Sequence, residues 1–204
     1  MVYVVYWGLS ERIPGHVRED EMQMLSKTWE RVGLAVARVV IGILWLTQAA
    51  WKAPPSFGCP PDFAASIDYA QRTTGLCDWT GLMAAYSIFP PHGWFVRTIM
   101  VPNLSWMGWG VFLLEVFLAV SLIFGLFTRL GGILGLLMAL NLLLGLWAVP
   151  HEWYWTYIML MVLQWIFFVT GAGRTWGLDA ALIKRLEPRA ARGSRAARIL
   201  LALM

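Results

Sequence analysis

The stretch LSWMGWGVFLLEVFLAVSLIFGLFTRLGGILGLLMALNLLLGLWAVPHEWYWTYIMLMVLQWIFFVT, residues 104–170, consists of three apolar runs separated by two short turns. The runs 104–127, 130–149 and 153–170 are each close to the ~20 residues a helix needs to cross the hydrocarbon of a bilayer. Their apolar residues are continuous rather than alternating, which predicts helices and not the strands of a membrane barrel. Thr128 and Arg129 make the first turn, and Pro150, His151 and Glu152 the second. Connections so short force neighbouring helices to run antiparallel.

Upstream lies a fourth apolar run, 32–51, separated from the others by an insert, 52–103. Pro54, Pro55, Pro60, Pro61, Pro90, Pro91 and Pro102 forbid a continuous helix through the insert, but 64–72 and 94–101 each suit a short amphipathic piece. The expected fold is an all-α integral membrane protein, an antiparallel four-helix transmembrane bundle with a long external loop between helices one and two. Composition agrees: the 204 residues are 59% hydrophobic and 14% charged, and the mean hydropathy is +0.62. These values lie outside the usual range of soluble domains. The chain divides into an N-terminal cytoplasmic or interfacial segment (1–31), a membrane domain (32–173) and a basic tail (174–204). The first segment has neither the basic start nor the cleavage site of a secretory signal, and is expected to lie on the surface or to contact a partner.

Cytoplasmic segments retain an excess of Lys and Arg. With the N-terminus inside, Arg12, Arg18, Lys27, Arg31, Arg129, Arg174, Lys184, Arg185, Arg189, Arg192, Arg195 and Arg198 share one side, against Lys52, Arg72 and Arg97 on the other. Both termini are therefore expected in the cytoplasm, in the cytoplasmic (inner) membrane. Trp51, Trp106, Trp109, Trp147, Trp153 and Trp155 fall at the opposite helix ends as an aromatic belt. The net charge of +4 gathers in the tail beside the membrane. Its expected counterpart is anionic lipid, at about 1 kcal/mol per basic residue, rather than nucleic acid.

Cys59 and Cys77 both fall in the external loop, where an oxidising compartment lets them pair. A structural disulfide there stabilises by about 3 kcal/mol in the chain-entropy picture. The alternative is a redox-active pair that accepts electrons from a sulfur substrate by thiol exchange. His16, His92 and His151 do not pair within a helix, and no metal, haem, nucleotide or flavin motif is present. Polar residues inside the spans carry more information, because a lone ionisable group in hydrocarbon is costly unless it is paired or lines a cavity. Glu115, Asn141 and Gln164 lie at similar depths on three helices, and an inward Arg38 would add a residue from the remaining helix. The cluster reads as a mid-membrane pocket for a proton or the head of a lipid-soluble ligand, or as a hydrogen-bonded clasp that sets helix register. Gly131, Gly135 and Ala139 form a small-residue strip that lets another helix approach.

Arg38, Glu115, FGLFTRLGG (124–132) and GAGRTWGLDAAL (171–182), in that order around four apolar runs, resemble the DoxX/DoxD-like membrane proteins over residues 30–185. The resemblance implies a four-helix membrane subunit. In the DoxD branch it implies the larger subunit of a thiosulfate:quinone oxidoreductase, which joins two thiosulfates as tetrathionate and passes two electrons to membrane quinone. On that reading thiosulfate meets the external loop with Cys59 and Cys77, quinone is the electron acceptor beside Arg38, Glu115, Asn141 and Gln164, and Glu115 moves the proton. At least one further protein subunit is then required as partner. The competing class is a non-catalytic accessory subunit of a larger respiratory or photosynthetic membrane complex.

Overall fold

The computed structural model describes residues 19–60 and 74–204, with side chains from residue 25 onward; the proposed surface segment before residue 19 and the amphipathic piece 64–72 lie outside these residues. Among the described residues the fold is all-helical. Helix α1 (Glu19–Ala50) is followed by α2 (Gly75–Tyr86) and α3 (Pro90–Phe95). A π turn (Val96–Met100) and a 3-10 turn (Val101–Asn103) carry α3 into α4 (Leu104–Phe124). Then come α5 (Thr128–Leu146), α6 (Tyr154–Thr170), α7 (Leu178–Ala191) and α8 (Arg195–Leu203). Three helical stretches are long and apolar enough to cross a membrane, Leu25–Ala50, Pro90–Phe124 and Thr128–Leu146, and Trp155–Thr170 is a shorter apolar helix. The chain is a membrane protein, all-helical across its described residues.

Two boundaries differ from the sequence reading. Helix α1 begins at Glu19 rather than at residue 32. The polar stretch from residue 19 extends the helix instead of preceding it. The short piece expected at 94–101 lies within a longer helical run that starts at Pro90 and continues into α4. Pro90 and Pro91 occupy the first turn, where a missing N–H removes no bond. Pro102 follows the π turn, a widened coil that accommodates the pyrrolidine ring and the lost donor.

Helix α1 packs on α4, α4 on α5, and α5 on α6; α2 covers one end of α5. The insert is therefore part of the core at that end. Leu82, Met83 and Ala84 of α2 are buried with Val96, Val101 and Leu146. The amide of Ile88 donates to Leu144 O at 3.0 Å, satisfying a last-turn carbonyl of α5. At the other end α7 and α8 fold back on each other, burying Leu186, Ala197 and Met204 with Phe127 beside them. The basic tail is thus a helical hairpin whose arginines stay outside, with Ile199 exposed.

Small residues set the helix spacing. A Cβ at Gly42 of α1 would meet Ile123 N of α4 at 2.8 Å, and one at Gly132 of α5 would meet Phe168 N of α6 at 2.7 Å. The expected strip serves two neighbours: Gly131 faces Ser121 of α4, and Gly135 faces the Gln164 side chain of α6. In a lipid solvent, backbone approach of this kind supplies the dispersion contacts that hold helices together. Gly132→Val should therefore lower the thermal midpoint of the detergent-solubilised protein by several degrees, an expected destabilisation of about 1–3 kcal/mol from overpacking. Gly110→Ala, where nothing lies within 4 Å of an added Cβ, should leave the midpoint unchanged or raise it, and monodispersity after heating is the readout.

Candidate functional site

The polar residues of the helices divide between two places. Arg38, 1% exposed, does not reach Glu115 as the sequence reading expected. Its Nη1 donates to Leu122 O at 2.5 Å and Ile123 O at 3.4 Å, and its Nη2 to Trp176 O at 3.3 Å. These α4 carbonyls lack helical partners and carry the negative end of the helix dipole, so a buried guanidinium finds its acceptors there.

On the other side of the same turn, Asp179 accepts from Phe127 N at 2.7 Å, Thr128 N at 3.0 Å and Thr128 Oγ1 at 2.7 Å, all at the positive start of α5. Thr128 Oγ1 in turn accepts from Gly173 N at 2.9 Å, and Asp179 N donates to Gly125 O at 2.8 Å. Gly125 adopts φ +65 to end α4, and a Cβ there would meet Gly177 Cα at 2.6 Å. The residues of FGLFTRLGG and GAGRTWGLD thus form a clasp between the α4–α5 turn and the start of α7. Their spacing has a packing explanation that requires no chemistry.

Glu115 lies elsewhere, 1% exposed, in an ion pair with Lys52, itself 7% exposed. The sequence reading placed Lys52 in the external loop and missed this role. The available signal was a cation directly after Trp51 at the end of a span, on the side otherwise poor in cations. Lys52 stands just beyond α1, and its flexible stem carries the ammonium inward between Trp51, whose ring lies 4.6 Å from Nζ, and Glu115. Glu115 Oε2 and Trp45 Nε1 are buried without a partner among the described residues.

Both side chains belong to the wall of a cavity of ≈ 730 Å³, within the usual ~300–1,000 Å³ of small-molecule sites. The wall is mostly apolar and aromatic, with Gln48, Lys52, Thr80, Glu115 and Asn141 as polar points. Asn141 Oδ1 pairs with His92 Nε2 at 3.0 Å, and His92 Nδ1 with Ser87 Oγ at 2.9 Å, a chain of contacts leading away from the cavity. Two of the four expected binding residues, Glu115 and Asn141, therefore share one cavity. Gln164 does not line it: it is fully buried against Gly135, with both amide atoms unpartnered among the described residues. Arg38 belongs to the clasp.

Cys59 and Cys77 are bonded to each other, with Cα atoms 5.5 Å apart. Cys77 is buried with Phe57, Leu76, Met100 and Leu104, and Cys59 packs at the edge of that cluster. The bond anchors the segment after α1 to the first turn of α2, next to Leu76 in the cavity wall. Among the described residues no three His, Cys, Asp or Glu side chains come together as a metal-ligand set. No protein-family model, curated protein or solved structure matches the chain.

Burying two charges is repaid only by their mutual attraction, so removing one should be worse than removing both. Lys52→Met is expected to destabilise the protein by about 3–5 kcal/mol, whereas Lys52→Met combined with Glu115→Met should recover most of that loss. Thermal midpoints of the two single variants and the double variant, measured in one detergent, close the cycle.

Proposed function

We propose that this chain is the membrane subunit of a quinone-linked oxidoreductase of the thiosulfate:quinone type, with the quinone head in the cavity beside Glu115. The carrying observation is the buried Lys52–Glu115 pair in the wall of a small-molecule-sized cavity among apolar helices. An intramembrane acid with one oxygen unpartnered among the described residues supports a functional role at this position. The resemblance of the sequence to DoxX/DoxD-like proteins supplies the reaction class.

In this reading α6 is the fourth span. Trp155–Thr170 is about 24 Å long at 1.5 Å per residue, short of the ~30 Å hydrocarbon by an amount that bilayer thinning and flanking tryptophans absorb. The arginines of α7 and α8 face the cytoplasm and anionic lipid, both termini lie on that side of the inner membrane, and the α2–α3 end faces outward. Two thiosulfates joining as tetrathionate release two electrons and no protons; quinone takes up those two electrons together with two protons. Glu115 is the group placed to pass protons to the quinone oxygens, and the Ser87–His92–Asn141 contacts support a route from the outer end. The disulfide holds the outer wall, and thiosulfate is met there with the help of a second subunit.

A non-catalytic accessory subunit is the second reading. Helix α1 favours it, because its 32 residues exceed the ~20 a bilayer needs and it exposes Leu25 and Trp29 near its start. Purified protein with its co-purifying subunits should reduce a short-chain quinone when thiosulfate is supplied. Glu115→Gln should cut turnover per folded, assembled complex by about 10²-fold or more, the usual size of a proton-transfer contribution, over and above the loss of stability from leaving Lys52 without its counter-charge. Absence of thiosulfate-dependent reduction, with stable co-purification in a large redox complex, decides for the accessory subunit.

A further inference from the structure

The helices around the Glu115 cavity do not close a ring. α1 packs on α4, α4 on α5 and α5 on α6, but α1 and α6 have no comparable packing with each other. Toward the α7–α8 end the space between them is filled by the side chains of Ile41, Leu118 and Phe167. Above this floor the cavity occupies the gap, bounded by Leu44 on α1 and by Met159 and Leu163 on α6. Leu44 is 52% exposed and Met159 54%. They lie six and five residues from the nearer ends of their helices, about 8–9 Å along the axes. Trp51 and Trp155, exposed near those ends, suit the headgroup layer, so this depth falls among lipid tails rather than water.

We infer that the cavity is loaded sideways from the lipid phase, through the gap between α1 and α6, by a single-tailed alkyl or isoprenoid amphiphile whose head both donates and accepts hydrogen bonds. The head chemistry follows from two wall residues that each bury a polar atom with no partner among the described residues: Glu115 Oε2 would accept from a hydroxyl, and Trp45 Nε1 would donate to an oxygen. Buried polar atoms in hydrocarbon require partners, and lipid supplies none at this depth. The rest of the wall is largely apolar, and Met83, Met100, Met107 and Met138 give it adaptable side chains that fit a ring or tail of variable shape. A phenol, a hydroquinone and a long-chain alcohol share this donor–acceptor head. The inference rests on the pocket in the proposed function and not on its redox chemistry.

The test uses the full chain in phosphatidylcholine vesicles and a long-chain alkylphenol with a diazirine in its tail, photolysed with and without excess unlabelled alkylphenol, and adducts mapped by mass spectrometry. Adducts are expected on residues 41–48 and 155–163, falling roughly tenfold under about tenfold competitor as mass action at one site requires. Leu44→Trp with Met159→Trp should slow labelling there, whereas Leu137→Trp, on an exposed position outside the cavity, should not. Trp45→Phe, which keeps an aromatic side chain but removes the N–H donor, should raise the competitor midpoint about fivefold, the loss of one hydrogen bond. Adducts that ignore competitor, or that spread equally over lipid-facing positions such as Leu113 and Leu137, overturn the inference, and both outcomes can be read on the wild-type protein alone. Competable labelling at the gap without thiosulfate-dependent quinone reduction keeps the portal and removes the oxidoreductase reading. Reduction accompanied by adducts elsewhere does the reverse.

Discussion

The α4–α5 turn brings the negative end of one helix dipole and the positive end of another within a few residues, both in a membrane chain with little water to satisfy them. Arg38 donates to the carbonyls that end α4, and Asp179 accepts the amides that begin α5. Each charge complements the helix end it meets, and each comes from a distant part of the chain, α1 and α7. The clasp therefore sets the positions of α1, α4, α5 and α7 together. It also explains the glycines at 125, 173 and 177, since side chains there would displace the backbone or the Arg38 and Asp179 groups that bind it.

With one end secured in this way, the other end is free to hold space. There the helices are bridged by α2, by the Cys59–Cys77 bond and by the Ser87–His92–Asn141 contacts, rather than by continuous side-chain packing between α1 and α6. The cavity lies between the sealed core around Leu118 and Phe167 and this outer layer. A charge pair placed there stabilises little by itself, because desolvation offsets most of the attraction. The second oxygen of Glu115 is left without a partner among the described residues, beside the cavity.

Much of the membrane character was legible in residues 104–170, because hydrocarbon imposes one rule, internal satisfaction of every backbone polar group, and long apolar runs obey it visibly. The cost of intramembrane charge likewise marked Arg38 and Glu115 as residues needing partners. Which partners they take was not legible. Depth along a helix is a one-dimensional coordinate, and it grouped Arg38, Glu115, Asn141 and Gln164 without regard to the direction each side chain faces. Lys52 was hidden for the complementary reason: its backbone lies outside the span while its ammonium lies inside.

The sequence by itself determined the solvent of this chain and its helical class, since both follow from local composition and run length. It also marked Gly131 and Gly135 as sites of close helix approach, though not which neighbour each one meets, and it did not mark Gly42 or Gly132. Tertiary structure alone decided that the residues of FGLFTRLGG and GAGRTWGLD form a clasp, that Glu115 belongs to Lys52, and that α1 and α6 leave a cavity between them. Those outcomes depend on rotations about helix axes and on contacts such as Arg38–Leu122, 84 residues apart, which no local pattern encodes.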